Sequence, residues 1–255
     1  HAVLDFVGGR ISPEMETPKL LWLSRHRPES FASAAHFFDL SDYLTWRATG
    51  SLDRSVCTVT CKWTYLAHED RWDPDYFRQV GLGTLAEEGF RRIGTKVVAP
   101  GTRLGGLTEA AAAEMGLAPS TPVAASLIDA HAGGLGTLGV SAAHQPADLG
   151  KRLAYIFGTS ACSMASTTDP VFVPGVWGPY FNSMIPGIWL LEGGQSAASA
   201  ALDRLVQLHP DAPMLEAEAA RQGQSLLAYV AAHALTLGPT LSETILAARD
   251  MVVVP

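Results

Sequence analysis

The chain has 255 residues, 47% hydrophobic and 17% charged, which is enough apolar material for one large domain or two modest ones and too much for a disordered segment. Its 25 acidic residues against 18 basic ones, a net charge of −7, run opposite to what a nucleic-acid or anionic-membrane surface requires. A polyanionic ligand must therefore be met locally, by backbone amides, a few cations or a metal.

Cys57, Cys61 and Cys162 are too few for a disulfide framework, and their odd number fits a reducing, cytoplasmic setting. The N-terminus opens at His1 and shows no basic segment followed by an apolar one, so no signal peptide is expected. Residues Pro170 to Leu191 are uncharged and long enough to cross a bilayer, but four prolines, Asn182 and several glycines argue against a transmembrane helix. His1 and the terminal run Met251-Val-Val-Val-Pro255 read as cut ends.

In chain order, Ser12 to Leu23 predicts a helix, with Ser12 as cap, Pro13 in the first turn and Leu20-Leu-Trp22 as apolar weight. His36 to Trp46 is an aromatic-rich segment expected in the core and ending at Gly50. Asp73-Pro-Asp-Tyr-Phe77 and Leu85 to Arg92 predict short amphipathic helices. Thr108 to Gly116 is a helix with a Thr cap and a glycine stop. Val123 to Ile128 predicts a buried strand, followed by a glycine-containing helix from Ala130; strand, acidic residue and small-residue helix form an α/β arrangement. A polar loop around Val140 to Gly150 predicts a domain boundary, dividing the chain into 1–140 and 141–255. Strands are expected at Leu153 to Phe157 and Gly187 to Leu191, each running into a Gly-rich turn. Helices are expected at 196–208, 213–221 and 225–235.

Asp129 stands where a strand gives way to a helix, a position at which open α/β folds place ligands. Its carboxylate could accept a hydroxyl proton as a general base or simply cap the helix, and the sequence context fits both. Gly133, Gly134 and Gly136 would let that helix approach its neighbours closely. The turn Gly158-Thr159-Ser160 can offer amides and hydroxyls to a phosphate, although it is neither a Walker loop nor a nucleophile elbow. In Glu192-Gly-Gly-Gln-Ser196, Glu192 and Gln195 could bind hydroxyls, or the run could be an ordinary strand-to-helix turn.

Lys62, among apolar and aromatic neighbours, either snorkels to the surface or points into a site. Cys57 and Cys61 would share a helical face, but a zinc site would need His131 and Cys162 as well and is not expected. Trp63 and Trp177 are the tryptophans to consider for stacking on a sugar.

Taken together, Pro18-Lys-Leu-Leu-Trp-Leu23, the Asp129 run, Gly158-Thr-Ser160, Val173-Pro-Gly-Val-Trp-Gly-Pro-Tyr180 and Leu191-Glu-Gly-Gly-Gln-Ser196 resemble the FGGY family of carbohydrate kinases. Thr60-Cys-Lys-Trp63 and Ile128-Asp-Ala-His-Ala-Gly-Gly134 look most similar to its D-ribulokinase branch. The resemblance implies an actin-like, ribonuclease-H-like two-domain α/β fold, with 1–140 as the later part of the N-terminal domain and 141–255 as the opening of the C-terminal one. It implies ATP-dependent phosphorylation of a sugar hydroxyl, with D-ribulose as leading substrate and xylulose, ribitol or glycerol as alternatives. By the same resemblance Asp129 matches the catalytic base, and Lys62, Asp129 and Glu192 match sugar-binding positions. Gly158, Thr159 and Ser160 match a phosphate loop for the nucleotide.

ATP and Mg²⁺ are the implied cofactors, and no protein side chain of this chain is assigned to the metal. The implied partners are a small sugar and ATP, with no nucleic acid and no membrane; a homodimer is compatible with this. The family's Asp-x-Gly-Thr loop and its late adenosine motif are not found between His1 and Pro255, so this polypeptide is expected not to turn over ATP by itself. A non-catalytic sugar-binding module and a hydrolase using Cys162 or Ser160 with His131 are the readings from other classes.

Overall fold

The computed structural model describes residues 1–139 and 148–250. Packing divides the chain into two compact units, one of His1–Ile156 with Ser163–Gly193 and one of Phe157–Cys162 with the residues from Gly194 onward. The predicted boundary loop falls largely on residues 140–147, outside the described residues.

The first unit opens with a short 3₁₀ turn, followed by α1 (Glu16–His26), α2 (Pro28–Ser33), α3 (Leu40–Thr49), β1 (Arg54–Ser55) and α4 (Val56–Trp63). Then come α5 (Pro74–Val80), α6 (Gly83–Glu87), β2 (Val97–Val98), β3 (Arg103–Gly106), α7 (Glu109–Met115), β4 (Pro122–Ala124) and α8 (Asp129–Gly139). The strands β5 (Leu153–Phe157), β6 (Ala161–Thr167), β7 (Trp177–Phe181) and β8 (Trp189–Gln195) form one sheet in the order β5-β6-β8-β7, with β7 and β8 antiparallel. β1 pairs in parallel with β2, and β3 pairs antiparallel with β4. In the second unit lie α9 (Ser199–Gln207), α10 (Ala212–Arg221), α11 (Leu226–Ala234) and α12 (Leu241–Ala247).

Local chemistry accounts for most of these boundaries. Asp73 and Thr108 cap α5 and α7 by accepting from the Tyr76 and Ala111 amides at 2.9 and 3.2 Å. Gly50, Gly81 and Gly116 close α3, α5 and α7 in the left-handed region. The main core gathers Leu20, Val59, Trp63, Trp72, Phe77, Leu82, Leu85 and Ile93, so Trp63 is a core residue and not a sugar platform.

Three sequence-based expectations shift. First, α1 begins at Glu16, not Ser12: the Ser12 hydroxyl accepts from the Glu14 amide at 3.2 Å, which closes a local turn, and Met15 stays extended. Second, the aromatic segment at 36–46 is only partly core: Phe37 packs against the main cluster, whereas Leu40, Tyr43 and Leu44 are exposed and Phe38, Tyr43 and Trp46 contact one another, Phe38 and Trp46 stacked. Third, the strand before Asp129 is only Pro122–Ala124. It stops because the Ser126 carbonyl and the Ile128 amide are taken by side chains of Ser55 and Cys57 and not by a neighbouring strand.

Helix α8 settles close to the sheet. A Cβ on Gly134 would lie 2.8 Å from the Met164 sulfur, and one on Gly133 would lie 3.2 Å from Ile156 Cδ1, whereas Gly136 meets nothing within 4 Å. Gly178, within β7, is more tightly bound. At φ +97° its Cβ would run into the Leu190 carbonyl oxygen, whereas Gly175, at φ +80°, faces open space. Gly178→Ala is therefore expected to cost about 2–3 kcal/mol in urea unfolding, and Gly175→Ala about 1 kcal/mol from backbone strain alone. Equal losses would show that the contact with Leu190 contributes nothing.

Candidate functional site

The site is built outward from α4. Seven of its eight residues are buried; the remaining one, Lys62, is only partly so. A helix enclosed in this way must have its polar groups satisfied from its surroundings. Ser55 caps it by accepting from the Cys57 amide at 3.3 Å, and its hydroxyl donates to the Ser126 carbonyl at 2.6 Å. Asp42, from α3, accepts from the Ser55 amide at 3.0 Å and from the Thr58 hydroxyl at 2.5 Å. Burial pushes the Asp42 carboxyl up to about 6, against those two hydrogen bonds and the charge of Arg54. Arg54 lies over the Phe38 ring at 3.9 Å, and burial pulls its guanidinium down to about 10.

On the next turn of α4, Cys57 Sγ lies 3.1 Å from His131 Nδ1, and His131 Nε2 lies 3.3 Å from Glu192 Oε2. The Ile128 amide also donates to Cys57 Sγ, at 3.4 Å. Burial pushes the Cys57 thiol up, but hydrogen bonds from Cys61 and His131 and the imidazolium charge bring it down to about 6. His131 is pulled down by burial, yet its bonds to Cys57 and Glu192 and their charges raise it to about 9. Cys61 is held well above the usual thiol range by burial and by its bond to Cys57. Both shifts favour the thiolate–imidazolium form of the pair, with a carboxylate behind it.

That order, thiol to imidazole to carboxylate, is also the connectivity of a cysteine hydrolase. Here Cys57 has 0% and His131 1% of their surface exposed, so no acyl substrate reaches the sulfur. Both ring nitrogens of His131 are occupied by Cys57 and Glu192, which leaves no base for Cys162 or Ser160. Among the described residues no three His, Cys, Asp or Glu side chains are grouped to hold a metal ion.

Lys62 does not snorkel to open solvent: it lines a cleft with Ser12, Glu14, Cys61, Trp177, Tyr180 and Glu192, and Met15 forms part of the floor. Glu192 is buried at 8% exposure on β8, and burial drives the Tyr180 phenol well above its usual range. The structure thus brings Lys62 and Glu192 together. Asp129 is exposed at the first position of α8, its carboxylate accepting from the Ala130 amide at 2.8 Å; it is outside the residues that line this cleft. It is joined to the cleft through its own helix, since His131 is two residues on and grips Glu192.

Gly158, Thr159 and Ser160 form an exposed turn in the second unit. The carbonyls of Gly158 and Thr159 accept from the Ser199 and Ala198 amides at 3.2 and 2.7 Å, at the start of α9. Two expectations for the Glu192 run change. Glu192 to Gln195 continues β8 and is not a turn, and Gly193 is small because Ser163 Oγ would lie 2.9 Å from its Cβ. Gln195 bonds to the Ala197 carbonyl at 2.8 Å. Ser12, Glu14, Met15 and Tyr180 are cleft residues that sequence reasoning missed. The first three were assigned to a regular helix, and nothing in the sequence marks Tyr180 apart from its neighbourhood to Trp177.

Among solved structures the chain superposes on a xylulose kinase from Rhodospirillum rubrum with TM-score 0.65 at 23% identity, covering 86% of this chain and 43% of that one. The fold is thus the actin-like ATPase fold of sugar kinases, here a mixed α/β chain. The sequence matches the FGGY family of carbohydrate kinases, with the N-terminal domain over residues 2–136 and the C-terminal domain over 153–254, and the chain belongs to that family. An FGGY carbohydrate kinase domain-containing protein of Danio rerio is 51% identical over 91% of this chain and 44% of its own length. A D-ribulokinase of Saccharomyces cerevisiae is 34% identical over 81% of this chain and 32% of its own. The chain spans less than half the length of these relatives.

The Asp42 carboxyl yields a pH prediction. Its folded value, about 6, lies above the ordinary 3.8, so the stability it contributes is fully present below pH 4 and is lost as pH rises through 6. The loss amounts to roughly 3 kcal/mol. Subtracting the urea-unfolding profile of Asp42→Asn from that of the unaltered chain should isolate this fall between pH 4 and 6; a flat difference would show that Asp42 titrates normally.

Proposed function

We propose that this chain carries the sugar side of an ATP-dependent kinase that converts D-ribulose to D-ribulose 5-phosphate. The observation that carries the reading is the cleft in which Lys62 and Glu192, far apart in sequence, are brought together beside Trp177. A buried carboxylate and an ammonium lining one cleft are the groups an open-chain ketose calls for, although the cleft, about 10 Å³ in volume, has room for only about one of its hydroxyls. The cation polarises a carbonyl or hydroxyl oxygen and the carboxylate accepts hydroxyl protons, and both interactions are strengthened by exclusion of water. The yeast D-ribulokinase relative supports the choice of sugar.

Asp129 is the general base of this proposal, taking the proton of the terminal hydroxyl as it attacks the γ-phosphate. Its exposure leaves the carboxylate open to substrate. Phosphoryl transfer asks the protein mainly for positioning and charge neutralisation. ATP would be met in part by Gly158, Thr159 and Ser160, whose turn is exposed. Mg²⁺ neutralises phosphate charge in such reactions; it would enter with the nucleotide, a mode that needs one or two carboxylates and no protein cage. A division at 140/141 is supported by the family matches, which end at 136 and resume at 153. That Cys57, Cys61 and Cys162 form no disulfide supports a cytoplasmic setting.

In coupled ADP-release assays of the full-length protein, Asp129→Asn should lower the rate about 10²–10⁴-fold. The Kd for D-ribulose should change little. A variant within a few fold of the parent would remove Asp129 from the chemistry. Comparing D-ribulose with D-xylulose, L-ribulose, ribitol and glycerol settles the acceptor, and faster turnover of any of the other four would displace D-ribulose.

A further inference from the structure

The proposed reaction gives no task to His131 and Cys57, yet they are among the most deeply buried polar side chains of the first unit. Holding an imidazole between a sulfur and a carboxylate in a dry interior costs more than a packed apolar residue would. Geometry supplies a reason for it. His131 touches Glu192 from the side away from solvent, at 3.3 Å, and is itself fixed from behind by Cys57 at 3.1 Å. Glu192 in turn lines the cleft that contains Lys62.

We propose that His131, locked in place by Cys57, is a positioning residue that sets the Glu192 carboxylate for sugar binding in the Lys62 cleft. The inference rests on reading that cleft as the sugar site, and adds residues that the sugar does not touch. A glutamate on a strand has several rotamers, and an ammonium in the same cleft would draw it toward whichever one suits the cation. A hydrogen bond from the imidazole on its buried side holds the carboxylate in one orientation before any sugar arrives, so ordering it is not charged against binding. The thiolate completes the arrangement electrically. His131 and Lys62 alone would set two cations around one carboxylate, and the negative charge on Cys57 offsets the first of them. The same sulfur accepts from the Ile128 amide, so the residue preceding Asp129 is tied to the same cluster.

The test is a double-mutant cycle read as Kd for D-ribulose, by titration calorimetry of the full chain. Glu192→Gln should weaken binding about 10–100-fold, the range for a hydrogen bond to a charged group, and His131→Asn about tenfold. His131→Gln, whose amide can reach the position of Nε2, should recover to within about threefold of the parent. In the Glu192→Gln background, His131→Asn should cost no more than about twofold, because the group it positions is already gone. If the two losses multiply instead, His131 does not act through Glu192 and the proposal is wrong. If Glu192→Gln binds D-ribulose as tightly as the parent, the cleft is not the sugar site, and the failure belongs to the functional reading on which this one rests. Should His131→Asn not fold, Cys57→Ser serves in the same cycle. It should weaken binding about threefold in the parent and leave the Glu192→Gln protein unchanged, and a loss of equal size in both backgrounds would overturn the proposal.

Discussion

A helix enclosed on nearly every side is the constraint from which the first unit follows. Val56–Trp63 puts seven buried residues into the protein, and apart from Thr60 Oγ1 the polar side chains among them are answered from other segments or the helix cap. The answers come from three separate stretches of chain. Asp42 satisfies Ser55 and Thr58, Ser126 accepts from Ser55, and His131 meets Cys57. Those bonds set the path of residues 126–131 and so the start of α8. The remaining residue, Lys62, is half-buried and lines the cleft together with Glu192.

The proposed chemistry is thus distributed unequally. Of the proposed sugar contacts, Glu192 is buried and Lys62 half-buried in the first unit, where water exclusion would strengthen them. Asp129, the proposed base for the sugar hydroxyl, and the Gly158–Ser160 turn, proposed for the nucleotide, are both exposed. Glu192 sits at the junction of the two demands, with its carboxylate in the cleft and its buried side held by an imidazole. Free energy is spent to desolvate His131 and Cys57, and the return is a carboxylate that is already oriented.

Much of this was legible in the sequence, and the failures have a common cause. Thr108 and Gly116 announced α7 because caps are local, and Cys57 and Cys61 did share one helical face because spacing alone fixes that. Helices α10 and α11 fell within two residues of expectation for similar reasons. What failed depended on partners distant in sequence. The strand before Asp129 was cut short by side chains 71 residues away. The aromatic run at 36–46 reads as core by composition, yet beyond Phe37 its rings pack mostly on one another, with Tyr43 exposed. Lys62 could not be placed from its neighbours, since the residues that share its cleft lie mostly in the 12–15 turn and on β7 and β8. His131 looked like a packing residue, and no local pattern reveals that its two nitrogens serve two different segments.

The turn Ser12–Met15 carries a consequence of a different kind. Residues 57–63 are held by packing, so most replacements there would be eliminated for instability before any effect on the proposed sugar site could matter. Ser12 and Glu14 border the same cleft from a turn that closes on its own hydroxyl, and only Met15 beside them is buried. Lineages that change the preferred sugar therefore have most freedom at this rim. Descendants of this chain should differ in specificity mainly through the rim of the cleft, while its floor drifts slowly.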